Sequence, residues 1–436
     1  MMINDFVRSQ SILNILNQHS INAANHLGHI ASGLRIRSVV DDPAGWAIGQ
    51  RMDVQIRGLQ AASSNAQNGK SMLKVADGGI TSTIDILKTL KEKAIEAASD
   101  TATTQDRQTI QKLFNQYADQ IDDNALITYN GKYLLDGSHD GATELTQQAF
   151  TNESLAANTK LDTKLTDLAR RDGSSLNILS SDRVAISYVK DGKTYSKEYD
   201  AASTTLQDIF KQMNSINGDV FDVDDMSTTS TIGKGTHGET VTTADDENGI
   251  SVKAKQAGTD GSISGFTIGI MDSQGNMKKS VNTALDDFSE TIQAKDERSD
   301  QALNIQTGVK ANQNIRMDLG DIRSTALGLR GKDGTVIDVT TQKGANAAMD
   351  VLDKALNRVL DQSTTVGALS SRMDYTISNL TVQSENLLDA QSTLLDADMA
   401  SEILSYTKEN VLAQAAMAML AQNNKNASWF LSLLGS

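Results

Sequence analysis

The two ends of this chain are almost free of charge, although the chain as a whole is acidic. From Met1 to Leu34 the only formal charges are Asp5 and Arg8, and from Asn410 to Ser436 the only one is Lys425. Every other charge of a 436-residue chain with net charge −15 lies between them. Helical surface without charge is surface meant for burial. Two such segments at opposite ends predict that the ends pack together, and with copies of themselves, inside an assembly.

Composition narrows the classes further. Aromatics are 4% and Pro43 is the single proline. Long helices meeting through small and amide side chains suit that mix better than a thick aromatic core. There is no cysteine, which excludes disulfides, thiolate nucleophiles and Cys-ligated metal. The start, Met1 to Arg8, has neither a basic nor an apolar region of the kind a cleaved signal peptide needs. Val411 to Ala421 and Trp429 to Leu434 are each too short to span a bilayer. The acidic balance speaks against nucleic acid.

Apolar spacing at Ile12, Ile15, Leu16, Ala23, Leu27, Ile30 and Leu34 predicts a first long helix. Ser38 to Gly45 interrupts it, and Pro43 opens a second, capped by Asp41 or Asp42. That helix continues through Leu59, Leu73, Ile80, Leu87 and Ile95, far beyond ordinary globular length. After a turn at Asp100 to Thr104, a third helix carries Ile110, Leu113, Phe114, Tyr117 and Ile121. Asn130-Gly131 reads as a tight hairpin.

From about His139 to Asp300 the period falls to two. Val184, Ile186 and Tyr188 alternate before Asp191-Gly192, a second hairpin. A short helix is expected over Leu206 to Met213. Helix returns near Ala345, with Leu352, Val359, Val366, Met373, Leu380, Leu387 and Leu394 in register, and the last stretch is apolar on nearly every face. The fold class is therefore mainly α. Paired N- and C-terminal segments form a long antiparallel bundle or coiled coil, with a mostly β outer domain inserted.

Several chemical motifs fail on inspection. Gly69-Lys70-Ser71 matches the end of a phosphate-binding loop, but Ser64 stands where a glycine is required. His26 and His29 share a helix face, yet no carboxylate stands at a ligand spacing beside them and no HExxH occurs. They read as polar filler on an assembly helix; no metal, cofactor or catalytic group is assigned. Asp222, Asp224 and Asp225 lack the glycine of a calcium loop and read as an acidic solvated loop, and Gly233 to Gly238 reads as a flexible turn. Asp41 and Asp42 read as a helix cap and an ion-pair partner for Arg35 or Arg37, not as an acid–base pair.

Ala31-Ser32-Gly33-Leu34-Arg35-Ile36-Arg37-Ser38, then Asp41-Asp42-Pro43-Ala44-Gly45-Trp46-Ala47-Ile48 and Asn65-Ala66-Gln67-Asn68-Gly69, closely resemble the N-terminal signature of bacterial flagellins. Asp396 to Glu402, Val411 to Ala415, and Leu420-Ala421-Gln422 through Leu431-Ser432-Leu433-Leu434 resemble the flagellin C-terminus. The resemblance covers residues 1–135 and 300–436 and leaves the middle unmatched. It implies a subunit of the extracellular flagellar filament, the rotating propeller of motility. Such subunits stack around an inner coiled-coil tube and an outer helical tube. They leave the cell unfolded through a type III channel, without a cleaved signal peptide, and meet an export chaperone, hook-junction proteins and a cap.

On that resemblance the chain divides into inner-tube segments 1–45 and 397–436, outer-tube segments 46–160 and 301–396, and a β surface domain at 161–300. Filament-core packing falls to Ile12, Ile15, Leu16, Leu27, Ile30, Leu34, Val411, Leu412, Met419, Leu420, Leu433 and Leu434. Arg35, Asp41, Asp42, Pro43 and Gly45 form the connector. Leu87 to Ala94 resembles the helix face that a vertebrate Toll-like receptor binds in many flagellins. Of the face residues Leu87, Thr89, Lys91, Glu92, Lys93 and Leu113, Lys91 and Glu92 fit the pattern; Thr89 stands in place of Arg, Lys93 in place of Leu, and Leu113 in place of a Glu. Losing the Arg removes a bidentate donor, so weak receptor activation is expected. The alternatives are a hook–filament junction protein and a coiled-coil signalling protein.

Overall fold

A computed structural model describes residues 2–434, without the side chains of residues 2–6, 430–434 and a few isolated positions. The chain forms two compact units. One is drawn from the residues up to Gln67, from Gln306–Asn314 and from Tyr375 onward; the other comprises Asn68–Ile305 and Ile315–Asp374.

Helix α1 spans Met2–Ser32 and helix α2 Pro43–Ala98, 56 residues without a break. Pro43 fits this start because the first turn needs no N–H from it. Asp42 completes the cap, accepting from the Ala44 N–H at 3.0 Å. Helix α3, Thr104–Ala125, opens on a capping box in which Thr103 and Asp106 satisfy each other's backbone N–H groups. Helix α6, Gln342–Leu395, starts on the Thr341 hydroxyl, which accepts from Gly344 N–H at 3.0 Å. Helix α7, Met399–Leu434, starts on Asp398, which accepts from Ala400 N–H at 3.0 Å.

In the first unit α1 and α7 run antiparallel, because His26 meets Glu402, His19 meets Glu409 and Ser9 meets Asn423. The same unit holds the first part of α2 against the end of α6, where Leu59 and Ala62 bury against Leu380, with Leu387 alongside.

In the second unit the rest of α2 lies antiparallel to the start of α6. Lys70 pairs with Asp374 and Lys91 with Asp353, a step of 21 residues, or three heptads, on each helix. Leu73, Ala76, Ile80, Leu87, Leu90 and Ala94 form the buried stripe of α2, and Ile110, Phe114 and Ile121 of α3 and Val351, Leu352, Val359, Val366 and Met373 of α6 are buried likewise. Thr128–Tyr129 (β1) and Lys132–Tyr133 (β2) pair across Asn130-Gly131, whose φ values of 50° and 77° are those of the expected hairpin turn. Asp136–His139 (β3) follows.

The inserted part of this unit is a two-sheet structure. Its strands are Ala149–Asn152 (β4), Arg183–Lys190 (β5), Lys193–Asp200 (β6), Phe221–Thr229 (β7), Thr231–Lys234 (β8), Thr240–Thr242 (β9), Gly249–Ala254 (β10), Gly265–Met271 (β11) and Phe288–Ile292 (β12). One sheet has the order β12-β4-β10-β7 and the other β11-β5-β6, with β8-β9 as a separate ribbon. Helices α4 (Leu206–Asn217) and α5 (Lys279–Leu285) complete the core. The core centres on Phe150, Tyr188, Phe210, Phe221, Phe266 and Phe288, with Phe150 edge-on to Phe266 at 5.0 Å. Five of the chain's eight phenylalanines are spent here.

Some boundaries differ from expectation. β4 already belongs to the insert's sheet, ahead of residue 161, because Phe150 needs the same core as Phe266. Asp222 and Asp224 lie on strand β7 and not in a loop, since their neighbours Phe221 and Val223 are buried. Helix α4 runs four residues past Met213. Residues 303–339 carry three further short strands, Leu303–Gln306 (β13), Asn314–Met317 (β14) and Leu319–Asp321 (β15), before α6 begins. Among the described residues no helix is long and apolar enough to cross a membrane.

Candidate assembly interface

The α1–α7 pair is the least finished part of the fold. Among the described residues of these two helices, Ala23 and Ala416 are the only fully buried apolar positions. A buried methyl contributes on the order of 0.8 kcal/mol, far too little to order helices of 31 and 36 residues against their conformational entropy of about 1 kcal/mol or more per residue. Ile12, Leu16, Ile30, Leu34 and Leu420 are half-buried where the helices touch. Ile15, Leu27, Val411, Leu412 and Met419 face solvent, as do Leu13, Ile21, Ile403 and Leu404, the last 72% exposed. Leu433 and Leu434 lie outside the residues whose side chains are described. A run of exposed large apolars with almost no charge marks an interaction surface.

The few polar contacts of the pair repeat with the heptad. His19 Nδ1 lies 2.6 Å from Glu409 Oε2, and seven residues later His26 Nδ1 lies 2.6 Å from Glu402 Oε2. His29 adds its Nδ1 at 3.3 Å from Glu402 Oε1. The carboxylate absent beside the two histidines in sequence therefore comes from the opposite end of the chain. Burial works against the charged form of Glu402, but the two imidazoles outweigh it and hold its carboxyl below the ordinary range. Glu409 is also lowered, chiefly by its hydrogen bond to His19.

The connector is held by backbone bonds. Gly33 sits at φ +71° and its N–H donates to His29 carbonyl at 2.8 Å, a left-handed helix end that glycine adopts without strain. Its carbonyl accepts from Ala397 N–H at 2.9 Å, and Arg35 N–H donates to Leu395 carbonyl at 2.7 Å. The expected Arg35 ion pair is replaced by a bond from Arg35 Nη2 to the Leu394 carbonyl at 2.6 Å. Asp41 accepts from the Arg37 and Ser38 N–H groups at 2.9 and 3.0 Å. The Arg37 N–H first of all holds its carboxyl below the usual range. An added Cβ on Gly45 would lie 2.6 Å from Ile36 Cδ1, and one on Gly49 2.8 Å from Leu395 Cδ2, so a side chain at either position would push Ile36 or Leu395 aside.

The residues of the receptor-like face separate. Leu87 is buried in the helix core, so it does not belong to an exposed face. Thr89 is half-buried beside a shallow groove with Asp85 and Tyr117. Lys91 is committed to Asp353, Lys93 is paired with Glu96 at 2.7 Å, and Glu92 and Leu113 are exposed.

Comparison with known proteins places this arrangement. Residues 3–140 match the bacterial flagellin N-terminal helical region, and residues 349–434 match the bacterial flagellin C-terminal helical region. A flagellin of Clostridium tyrobutyricum is 31% identical, over 98% of this chain and 99% of its own length. Polar flagellin A of Vibrio parahaemolyticus is 28% identical over 99% of both chains, and a flagellin of Bacillus subtilis 25% identical over all of both. Matching helical ends joined by a β-rich middle, with alignment along the whole length, make the conclusion plain: this chain belongs to the bacterial flagellin family.

Proposed function

We infer that the chain is the structural subunit of a bacterial flagellar filament, built by stacking copies of itself outside the cell. The observation that carries this reading is the α1–α7 pair, two long helices with one buried alanine each among their described residues and apolar surface turned outward. Neighbouring copies supply the apolar partners that a single chain lacks, and association then provides the ordering that an isolated helix cannot. Ile15, Leu27, Val411, Leu412 and Met419 pack between subunits, while Ile12, Leu16, Ile30, Leu34 and Leu420 hold the intrachain pair. The reading assigns no chemistry to the β insert, which decorates the surface.

A hook–filament junction protein is disfavoured, because flagellins align with the chain from end to end. A chemoreceptor-like signalling protein is disfavoured by the same alignment. The chain's partners in export and assembly are an export chaperone, hook-junction proteins and a filament cap. Receptor activation is weak, because Lys91 is engaged with Asp353 and Thr89 offers no bidentate donor.

Electron microscopy of the purified chain after salting-out tests the main reading, which requires filaments. A reporter-cell assay at matched monomer concentration tests the receptor reading, and a response equal to that of a strong agonist refutes it.

A further inference from the structure

We propose that His26, His29 and Glu402 form a divalent transition-metal site that pins the N-terminal helix to the C-terminal helix. Their ligand atoms all lie within 4.8 Å of one another. The three side chains are partly shielded, at 30%, 17% and 16% exposure. In a tetrahedral site with bonds of about 2.0–2.1 Å, donors stand roughly 3.3 Å apart. His29 Nδ1 already stands at 3.3 Å from Glu402 Oε1, and His26 Nδ1 at 2.6 Å from Oε2. Sub-ångström opening at His26 and a modest approach of the two rings therefore complete the triangle. Two imidazoles and one carboxylate select zinc, nickel or copper over magnesium and calcium. The more exposed His26 side leaves a fourth position to water.

The protonation of the two rings sets how the site would load. His29 Nε2 is buried and has no hydrogen-bond partner among the described residues. Histidines held in one tautomer are normally fixed through their other nitrogen. In the metal-free chain the Glu402 oxygens hold a proton on each facing Nδ1, and a cation entering the triangle takes the place of that proton, which is released.

The neighbouring heptad is an internal control. His19 and Glu409 repeat the geometry of His26 and Glu402, but three residues after His19 stands Asn22, where His26 is followed by His29. That heptad has two donors and not three. Because the site is complete within one chain, metal binding adds directly to the pairing of α1 with α7. It holds or fails independently of filament assembly.

The test uses the full chain, as dilute monomer and as polymer, equilibrated with zinc chloride and, in parallel, magnesium chloride. Metal retained after dialysis against metal-free buffer is counted, and helix content is followed by circular dichroism. The wild-type chain is expected to retain one zinc and no magnesium, and to gain helix in the dilute state when zinc is added. Glu402→Gln and the His26→Gln/His29→Gln pair lose that zinc, whereas His19→Gln keeps it. Asn22→His raises retention to two. Zinc retention by Glu402→Gln equal to wild type, or wild-type retention no greater than that of the double histidine variant, overturns the proposal.

Discussion

Arg358 of α6 grips Glu290 of β12 with two prongs: its Nη2 donates to Oε1 at 2.6 Å and Oε2 at 2.8 Å, and its Nε to Oε2 at 3.2 Å. Both side chains are largely out of water, with Glu290 at 7% exposure. The same Arg358 donates through Nη1 to the Ala326 carbonyl at 2.8 Å. Removing one partner leaves the other charged and desolvated. Arg358→Ala is expected to lower the stability of the second unit by about 3 kcal/mol, read by urea unfolding. The double variant Arg358→Met/Glu290→Leu should lose less than the sum of the single variants.

Gly33 isolates a pure backbone effect. Its φ is +71° and an added Cβ would meet nothing within 4 Å, so the whole cost of Gly33→Ala is conformational, about 1 kcal/mol. Gly33→Asn should cost less, because asparagine tolerates that region. Thermal disassembly of filaments should follow the order glycine, asparagine, alanine, from most to least stable.

Charge placed on the outward apolar face should stop assembly and spare the fold. Val411 is 58% exposed in the single chain, so Val411→Lys has little to disturb there. Within a packed interface an unpaired ammonium costs several kcal/mol. Leu420→Lys should also block assembly, but by breaking the intrachain pair, because Leu420 is half-buried between α1 and α7. Both variants should sediment as monomers while their second unit keeps the near-ultraviolet signature of its aromatic core.

The His19–Glu409 pair gives the helix pairing a dependence on acid. The folded-state pKa of Glu409 is lowered, first by the hydrogen bond from His19. Its contribution is therefore present above the ordinary glutamate range, near pH 4.3, and lost as pH falls through the lowered value. Acid dissociation of filaments should begin at higher pH for wild type than for Glu409→Gln, after normalising each to its own stability at neutral pH. Coincident curves would remove Glu409 from the account.

The long helices were legible because their apolar stripes persist over many turns, and both hairpins because Asn-Gly and Asp-Gly accept positive φ. Leu87 shows where a pattern carries two meanings. It belongs both to the buried stripe of α2 and to a surface motif, and packing decided for the stripe. The change of texture near His139 announced the insert, but which strands β4 joins was hidden, since Phe150 declares its place only through Phe266 and Phe288. Glu402 beside His26 and His29 was invisible for a simpler reason. Helical spacing relates residues three or four apart, and these are separated by 376 and 373 positions.

That separation shapes the order of events during synthesis. When α1 leaves the ribosome, its counterpart α7 is nearly four hundred codons from being made, so α1 cannot rehearse its pairing early. Closing so large a loop carries an entropy that the hairpins of the insert do not face. Until then both extremities stay unpaired and slender enough to enter a narrow conduit end first, whereas any middle that has already settled must open before it can follow.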